Sequence, residues 1–437
     1  MMKLDAGAAV LLDTLHKAGY AAYAVGGCVR DSLLGLTPHD WDLCTSALPQ
    51  QVIDLFGAEH CIPTGLQHGT VTIKHGGALY ETTTFRTEGT YTDGRHPDEV
   101  HFVPEVRADL ARRDFTINAM AYSAEEGLVD PFGGQEDLRY GIVRAVGDPV
   151  QRFTEDALRI LRLYRFAARF GFAIDPPTAQ AAEALCPHLD CVSVERIAEE
   201  LSKLLAAPQP GAYLDAAVFR AALPELSAEA LEAAKPVVDV CPAGSEHLPI
   251  RLAALLVSLG EADTRRVLKR LRCSNALIEE TAVLVRESKG RAGSSSEDRP
   301  LGWDPVAAGN RAGDGMARFV SEEEAPGIPD PIRTRRLLGR YDLKTVQRLC
   351  ALCTALYPEQ AGVFAALREQ AEQLDAEGVC CRVSQLAVNG RDLMAAGIPA
   401  GPGLKRVLEA LLDAVIREQL PNEREALLAA AREFSAS

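Results

Sequence analysis

The chain has 437 residues, 47% of them hydrophobic, enough for several domains with ample cores. Its 46 Lys and Arg against 61 Asp and Glu leave a net charge of −15, which weighs against a protein that coats nucleic acid nonspecifically but permits grip through local basic stripes. The eleven cysteines are scattered and odd in number, and no apolar run reaches membrane-spanning length, so the chain reads as a cytoplasmic protein with reduced thiols.

Residues 1–19 carry Leu4, Leu11, Leu12 and Leu15 at helical spacing, interrupted by Asp5 and Asp13, unlike a signal peptide. The apolar run Ala21–Val25 predicts a strand, and Gly26-Gly27 a tight turn into a helix. The free N–H groups at that turn would form a nest for phosphate. Asp40–Cys44 predicts the next strand. Alternation would turn Asp40 and Asp42 to one face and Trp41 into a core. Two carboxylates on one face can hold two divalent cations through oxygen. A metal pair beside a phosphate cradle is the equipment of nucleotidyl transfer. His39-Asp40 is also an HD dipeptide, a metal motif on helices elsewhere, but Pro38 and the alternation favour a strand.

Further strands are predicted at Gly69–Lys74, Leu79–Phe85 and Val100–Val103. Glu81 would supply a third carboxylate if its strand lies beside that of Asp40 and Asp42; otherwise it is a solvent-facing acid, and the sequence leaves this open. Arg112-Arg113-Asp114, with Asn118 four residues on, groups two cations, an acid and an amide. Arginine suits bidentate phosphate contacts, although such a cluster also serves as a surface cap on a helix.

From Pro149 onward the chain is almost wholly helical, with 3.6-residue periodicity over Asp156–Phe170 and Val194–Leu205. Asp156 and Arg159 fall at i, i+3 on one predicted helix face, and Arg162, Arg165 and Arg169 extend the stripe. One reading is an ion pair on a solvated face. The other is a reader of nucleotide bases. A carboxylate only accepts hydrogen bonds and a guanidinium only donates. Cytosine and adenine each offer an amine donor beside a ring-nitrogen acceptor, whereas uracil and guanine present the reverse order. A second helical block spans 211–287; Lys289–Pro331, with three consecutive serines and the acidic run Glu322 to Glu324, reads as an insertion or linker. Ile332–Ser437 returns to Ala- and Leu-rich helices, where Cys350 and Cys353 fit core packing.

Seven segments in order resemble the class II tRNA nucleotidyltransferases, the family of bacterial CCA-adding enzymes within the DNA polymerase β-like nucleotidyltransferase superfamily. They are Gly26–Asp31, Asp40–Leu43, Glu81–Arg86, Arg112–Ala119, Asp130–Gly134, Glu155–Arg162 and Glu195–Glu199. The resemblance implies an α+β chain: a mixed α/β head with a β-sheet (1–140), then an all-α neck (141–207), body (208–288), the 289–331 insertion and a tail (332–437). It implies two Mg²⁺ on Asp40 and Asp42, with Glu81 as a further catalytic carboxylate. It places Gly26, Gly27, Arg30, Arg112, Arg113, Asp114, Asn118, Asp156, Arg159, Arg162 and Arg165 around the nucleotide. The substrates implied are CTP, ATP and tRNA, the last held at its 3′ end and elbow. Whether the chain works alone or as a homodimer is left open. Arg86–Pro97 resembles a flexible loop that CC-adding members lack, which argues against CC-only addition. A-only addition and poly(A) polymerisation stay as alternatives, as does a non-catalytic RNA-binding protein, against which the paired Asp40 and Asp42 argue. The helical stretch Pro249–Gly260 carries no His-Asp dipeptide, so no phosphohydrolase activity is expected.

Overall fold

The structure, a computed structural model, describes residues 2–89, 99–289 and 329–436. The Tyr91–His96 loop element and all but the ends of the Lys289–Pro331 insertion therefore lie outside the described residues. The chain divides into two units, Met1–Glu232 and Ala233–Ser437.

The first unit opens with α1 (Ala6–Lys17), β1 (Ala22–Val25), α2 (Gly27–Leu33), β2 (Leu43–Thr45), α3 (Pro49–Phe56), β3 (Cys61–Gly65), β4 (Thr70–His75) and β5 (Ala78–Thr84). Next come β6 (Arg86–Glu88), β7 (Val100–Phe102), α4 (Val106–Ala111), β8 (Ala121–Ser123), β9 (Gly127–Val129), α5 (Gly134–Tyr140) and β10 (Ile142–Val143). The helical part follows as α6 (Pro149–Glu155), α7 (Leu158–Phe170), the short β11 (Ala173–Ile174), α8 (Pro176–Leu185) and α9 (Val194–Leu205).

All four residues of β1 are buried, as befits a strand covered on both faces. It sits inside a seven-stranded sheet of order β3-β4-β5-β2-β1-β8-β9. Within this sheet, among the described residues, the one parallel pairing is β2 with β5, in which Leu43 opposes Thr82. Tyr23, Val25, Cys44, Phe85, Leu110, Ala119, Ala121 and Val146 form the core on one side of this sheet. Helix α7 buries Leu158, Ile160, Leu161, Leu163 and Phe166 and packs against α9, whose bounds are those its periodicity predicts.

Two expectations about element boundaries fail, and both concern candidate site residues. The second strand starts at Leu43, not Asp40, so Asp40 and Asp42 lie in the segment leading into it. Trp41 is half-buried and not a core residue. The reason is that the neighbouring strand ends here. Strand β1 ends at Val25, whose N–H donates to the Asp42 carbonyl (2.9 Å), and the chain then turns away at Gly26 into α2. Likewise the helix expected from Asp156 starts at Leu158. Asp156 adopts an extended conformation (φ −149°, ψ 102°) that ends α6 and breaks it from α7.

In the second unit, helix Leu343–Leu356 packs against Ala361–Ala376 and buries Cys350 and Cys353. A separate core gathers Leu386, Val388, Leu393, Ile398, Val407, Leu411 and Leu427 from its C-terminal helices and the segments that join them. Among the described residues, no helix is long and apolar enough to cross a membrane.

Candidate functional site

Strand pairing brings the first two carboxylates together. Because Leu43 opposes Thr82 in parallel register, Asp42, just ahead of β2, and Glu81, in β5, each stand one residue before that pair. Both face the mouth of a cleft of about 340 Å³. The cleft is also lined by Thr70, Thr83, Arg86, Arg112, Arg113, Asp114, Asp156, Arg159, Arg162 and Arg196. Six arginines thus meet four carboxylates, a local positive excess in a chain of net charge −15. That sign suits a triphosphate.

The Asp42 carboxyl is pushed up to about 6, by the protein crowded around it first, then by the charge of Glu81, with Arg113 opposing and Asp40 adding. The residue's outer surface is open to the cleft, so the neighbouring charges are the firmer cause. Asp40 lies outside the cleft lining but close enough to act on Asp42 in this way. Among the described residues, no three His, Cys, Asp or Glu side chains come near enough to hold a metal ion. A preassembled three-ligand cage is therefore absent there. Mg²⁺ does not require one, since it commonly binds one or two carboxylates and takes its other ligands from phosphates and water. Carboxylates crowded so that their charges repel are a donor set that a divalent cation would relieve.

The arginines are held by an acid that sequence reading missed. Asp109, on α4 and only 1% exposed, accepts from Arg112 Nε (3.1 Å) and Nη2 (2.8 Å) and from Arg113 Nη2 (3.3 Å). Burial works against its charge, yet the two guanidinium groups hold the carboxyl below its ordinary range. Its signal in the sequence was the i, i+3 and i, i+4 spacing to Arg112 and Arg113. Among the described residues, the buried Nε of Arg113 has no partner. A Cβ on Gly26 would lie 2.9 Å from Arg113 Nη1, and Gly26 has φ +74°. Glycine there both makes the turn into α2 and lets the guanidinium approach the backbone.

Arg30 does not line the cleft. It is 4% exposed, with its guanidinium on Asp31 (Nε to Oδ1, 2.8 Å) and on the Asn118 side chain. The same group lies over the rings of Phe166 (5.1 Å) and Phe170 (4.9 Å). Arg165 is equally enclosed, paired with Glu200 and 3.8 Å above Phe166. Gly26, Gly27 and Asn118 also stay outside the cleft lining; Asn118 donates to Asp114 Oδ1 (3.1 Å).

Asp156 and Arg159 both line the cleft, and the Arg159 N–H donates to the Asp156 carbonyl (3.0 Å), but their side chains bond elsewhere. The i, i+3 face pair expected of them is not formed, because Asp156 sits in the break before α7. Its partner is Arg196 on α9, which donates from Nη1 to Oδ1 (3.2 Å) and from Nη2 to Oδ2 (2.7 Å). Arg159 instead reaches Glu155 (2.7 Å) and the carbonyls of Arg152 and Arg112 (3.2 Å each). Arg162 binds Asp114 through Nε (2.9 Å) and Nη2 (2.6 Å).

Profiles of known families match three stretches. One described as the poly A polymerase head domain covers residues 22–144. A second, described as an RNA- and SrmB-binding site of polymerase A, covers 171–228. A third, described as tRNA nucleotidyltransferase domain 2, covers 342–431. The CCA-adding enzyme of Lactiplantibacillus plantarum is 35% identical over 430 residues, spanning 97% of this chain and 94% of its own length. That of Geobacillus stearothermophilus is 34% identical over 444 residues, spanning 96% of this chain and 94% of its own. The crystal structure of the Bacillus stearothermophilus CCA-adding enzyme in complex with CTP matches with a TM-score of 0.76 at 31% identity, over 98% of this chain and 97% of the other.

Proposed function

We propose that this chain, which belongs to the CCA-adding enzyme family, adds or repairs the 3′-terminal CCA of tRNA from CTP and ATP without a nucleic-acid template, releasing pyrophosphate. One observation carries the reading at the site. A single cleft has acids at Asp42 and Glu81 for metal, arginines for phosphate, and the Asp156 carboxylate beside Arg159 and Arg162 for a base.

Asp40 and Asp42 would hold two Mg²⁺, with Glu81 next to them. When bound, the ions supply activation of the tRNA 3′-OH and neutralisation of the departing pyrophosphate. The remaining work is positioning. Arg112 and Arg113, braced by Asp109, face the triphosphate, and the unpartnered Arg113 Nε is a donor awaiting an oxygen. Asp156 accepts from the exocyclic amine of cytosine or adenine, and Arg159 or Arg162 donates to the ring nitrogen. Arg30 and Arg165 support this site from beneath rather than touching the nucleotide. No covalent nucleophile is needed, since charge neutralisation and alignment lower this barrier.

The segment division also belongs to the proposal: head 1–140, neck 141–207, body 208–288, insertion 289–331 and a tail 332–437 that holds the tRNA elbow. So does a cytoplasmic location. The test is gel-resolved extension of tRNA ending in the discriminator base, in C and in CC, with CTP alone, ATP alone and both. Addition of C, C and A followed by arrest is expected. Long A tails would establish a poly(A) polymerase instead, and extension of only the CC-ending substrate an A-adding enzyme.

A further inference from the structure

We propose that Arg196 is a positioning residue that determines nucleotide choice by fixing the acceptor geometry of Asp156. This rests on the reading of Asp156 as the group that meets the base. Asp156 lies at the break between two helices, with one backbone anchor, the Leu158 N–H on Oδ1 (3.1 Å). One hydrogen bond leaves the carboxylate free to swing about its own axis. The fork from Arg196, one nitrogen to each oxygen, removes that freedom.

The count of lone pairs then gives the fork a consequence. A carboxylate accepts about four hydrogen bonds, two at each oxygen. On Oδ1 the places are taken by Arg196 Nη1 and Leu158 N. On Oδ2 one is taken by Arg196 Nη2 (2.7 Å), and among the described residues one remains. The carboxylate thus presents a single acceptor in a fixed direction. An amino group fits that place, whereas a carbonyl oxygen would oppose lone pair to lone pair. Arg159 does not supply this fork: its Nη atoms reach Glu155, the Arg152 carbonyl and the Arg112 carbonyl. Nor could a lysine at 196, a point donor that cannot span both oxygens.

The experiment measures kcat and KM for CTP and for UTP on tRNA lacking its CCA end, together with the melting temperature. The proteins are wild type, Arg196→Ala, Arg196→Lys, Asp156→Ala and the double variant Arg196→Ala/Asp156→Ala. Arg196→Ala should lower the preference for CTP over UTP by about tenfold, mainly through KM, as expected for one reader contact. Arg196→Lys should fall between it and wild type at a near-normal melting temperature. The double variant should discriminate no worse than Asp156→Ala, since both changes remove one device. If Asp156→Ala loses discrimination while Arg196→Ala keeps the wild-type ratio, the proposal is overturned and Arg196 only braces the helices. If Asp156→Ala itself keeps the ratio, the underlying reading of Asp156 fails, and the proposal with it. Should Arg196→Ala not fold, an unchanged ratio in Arg196→Lys overturns the proposal.

Discussion

Arg162 donates from both Nε (2.9 Å) and Nη2 (2.6 Å) to one oxygen of Asp114, 48 residues before it in the chain. This pair ties α7 to the segment that follows α4. The other Asp114 oxygen accepts from Asn118 (3.1 Å) and from the Phe115 N–H (2.8 Å). Asn118 in turn meets Arg30. A continuous polar chain therefore runs from the turn at Gly26 to the arginine stripe of α7, with Phe166 stacked beneath Arg30, Arg162 and Arg165.

Asp114 sets an acid limit on the first unit. Burial opposes its charge, but Arg162 and Asn118 hold the carboxyl well below its ordinary value. A depressed folded value means that the stabilisation is present above the unfolded value of about 3.9 and is lost as pH falls through the folded one. Asp114→Asn should therefore cost about 1.5–3 kcal/mol at neutral pH and flatten the decline of stability below about pH 4. Urea melts at several pH values would check this, and an unchanged acid slope would count against it.

Removing the carboxylate at 42 should stop chemistry and spare binding. In Asp42→Asn we expect nucleotide addition to fall by a factor of about a hundred to a thousand or more, the scale of losing a main electrostatic contact in a transition state. The affinity for tRNA should stay at the wild-type level, because this side chain faces the cleft beside Glu81. Rapid-quench incorporation and filter binding measure the two. Retention of most of the rate in Mg²⁺ would place the metal elsewhere.

Arg30 and Arg113 should behave differently when each becomes lysine. Arg30→Lys loses the fork to Asp31 and Asn118 and should cost about 1.5–3 kcal/mol of stability, with little change in KM for CTP among the molecules that remain folded. Arg113→Lys should raise that KM several-fold while the melting temperature changes less. A raised KM with full stability in Arg30→Lys would instead make Arg30 a direct nucleotide ligand.

Gly26→Ala tests the turn itself. The added Cβ would sit on a backbone of positive φ (+74°) and press on Arg113 at 2.9 Å. With ψ −121° this backbone lies outside the left-handed helical basin, in a region glycine reaches freely and other residues do not, and the strain amounts to about 1–3 kcal/mol. The guanidinium must also shift, so the KM for both CTP and ATP should rise together with no change in the C-to-A preference. Steady-state kinetics with each nucleotide decides this.

Much of this was legible in the residue order. The four-residue apolar run of β1, the Gly26 turn and the repeat of α9 follow from local sterics and periodicity, which neighbours in sequence settle. The acids at 40, 42 and 81 and the arginines at 112, 113, 159 and 162 could be picked out as candidates by type and spacing. Tertiary structure alone decided how they pair. Six arginines and four acids line one cleft, and by sequence many pairings are equally good. The choice depends on the parallel register that sets Asp42 beside Glu81 and on the packing of α7 against α9 that delivers Arg196 to Asp156. It depends also on burial, which sets Arg30 outside the cleft lining on Asp31 and Asn118. A buried charge must find its partner wherever the fold offers one, and that partner stands 40 residues away for Asp156 and 48 for Asp114, beyond the reach of any local pattern.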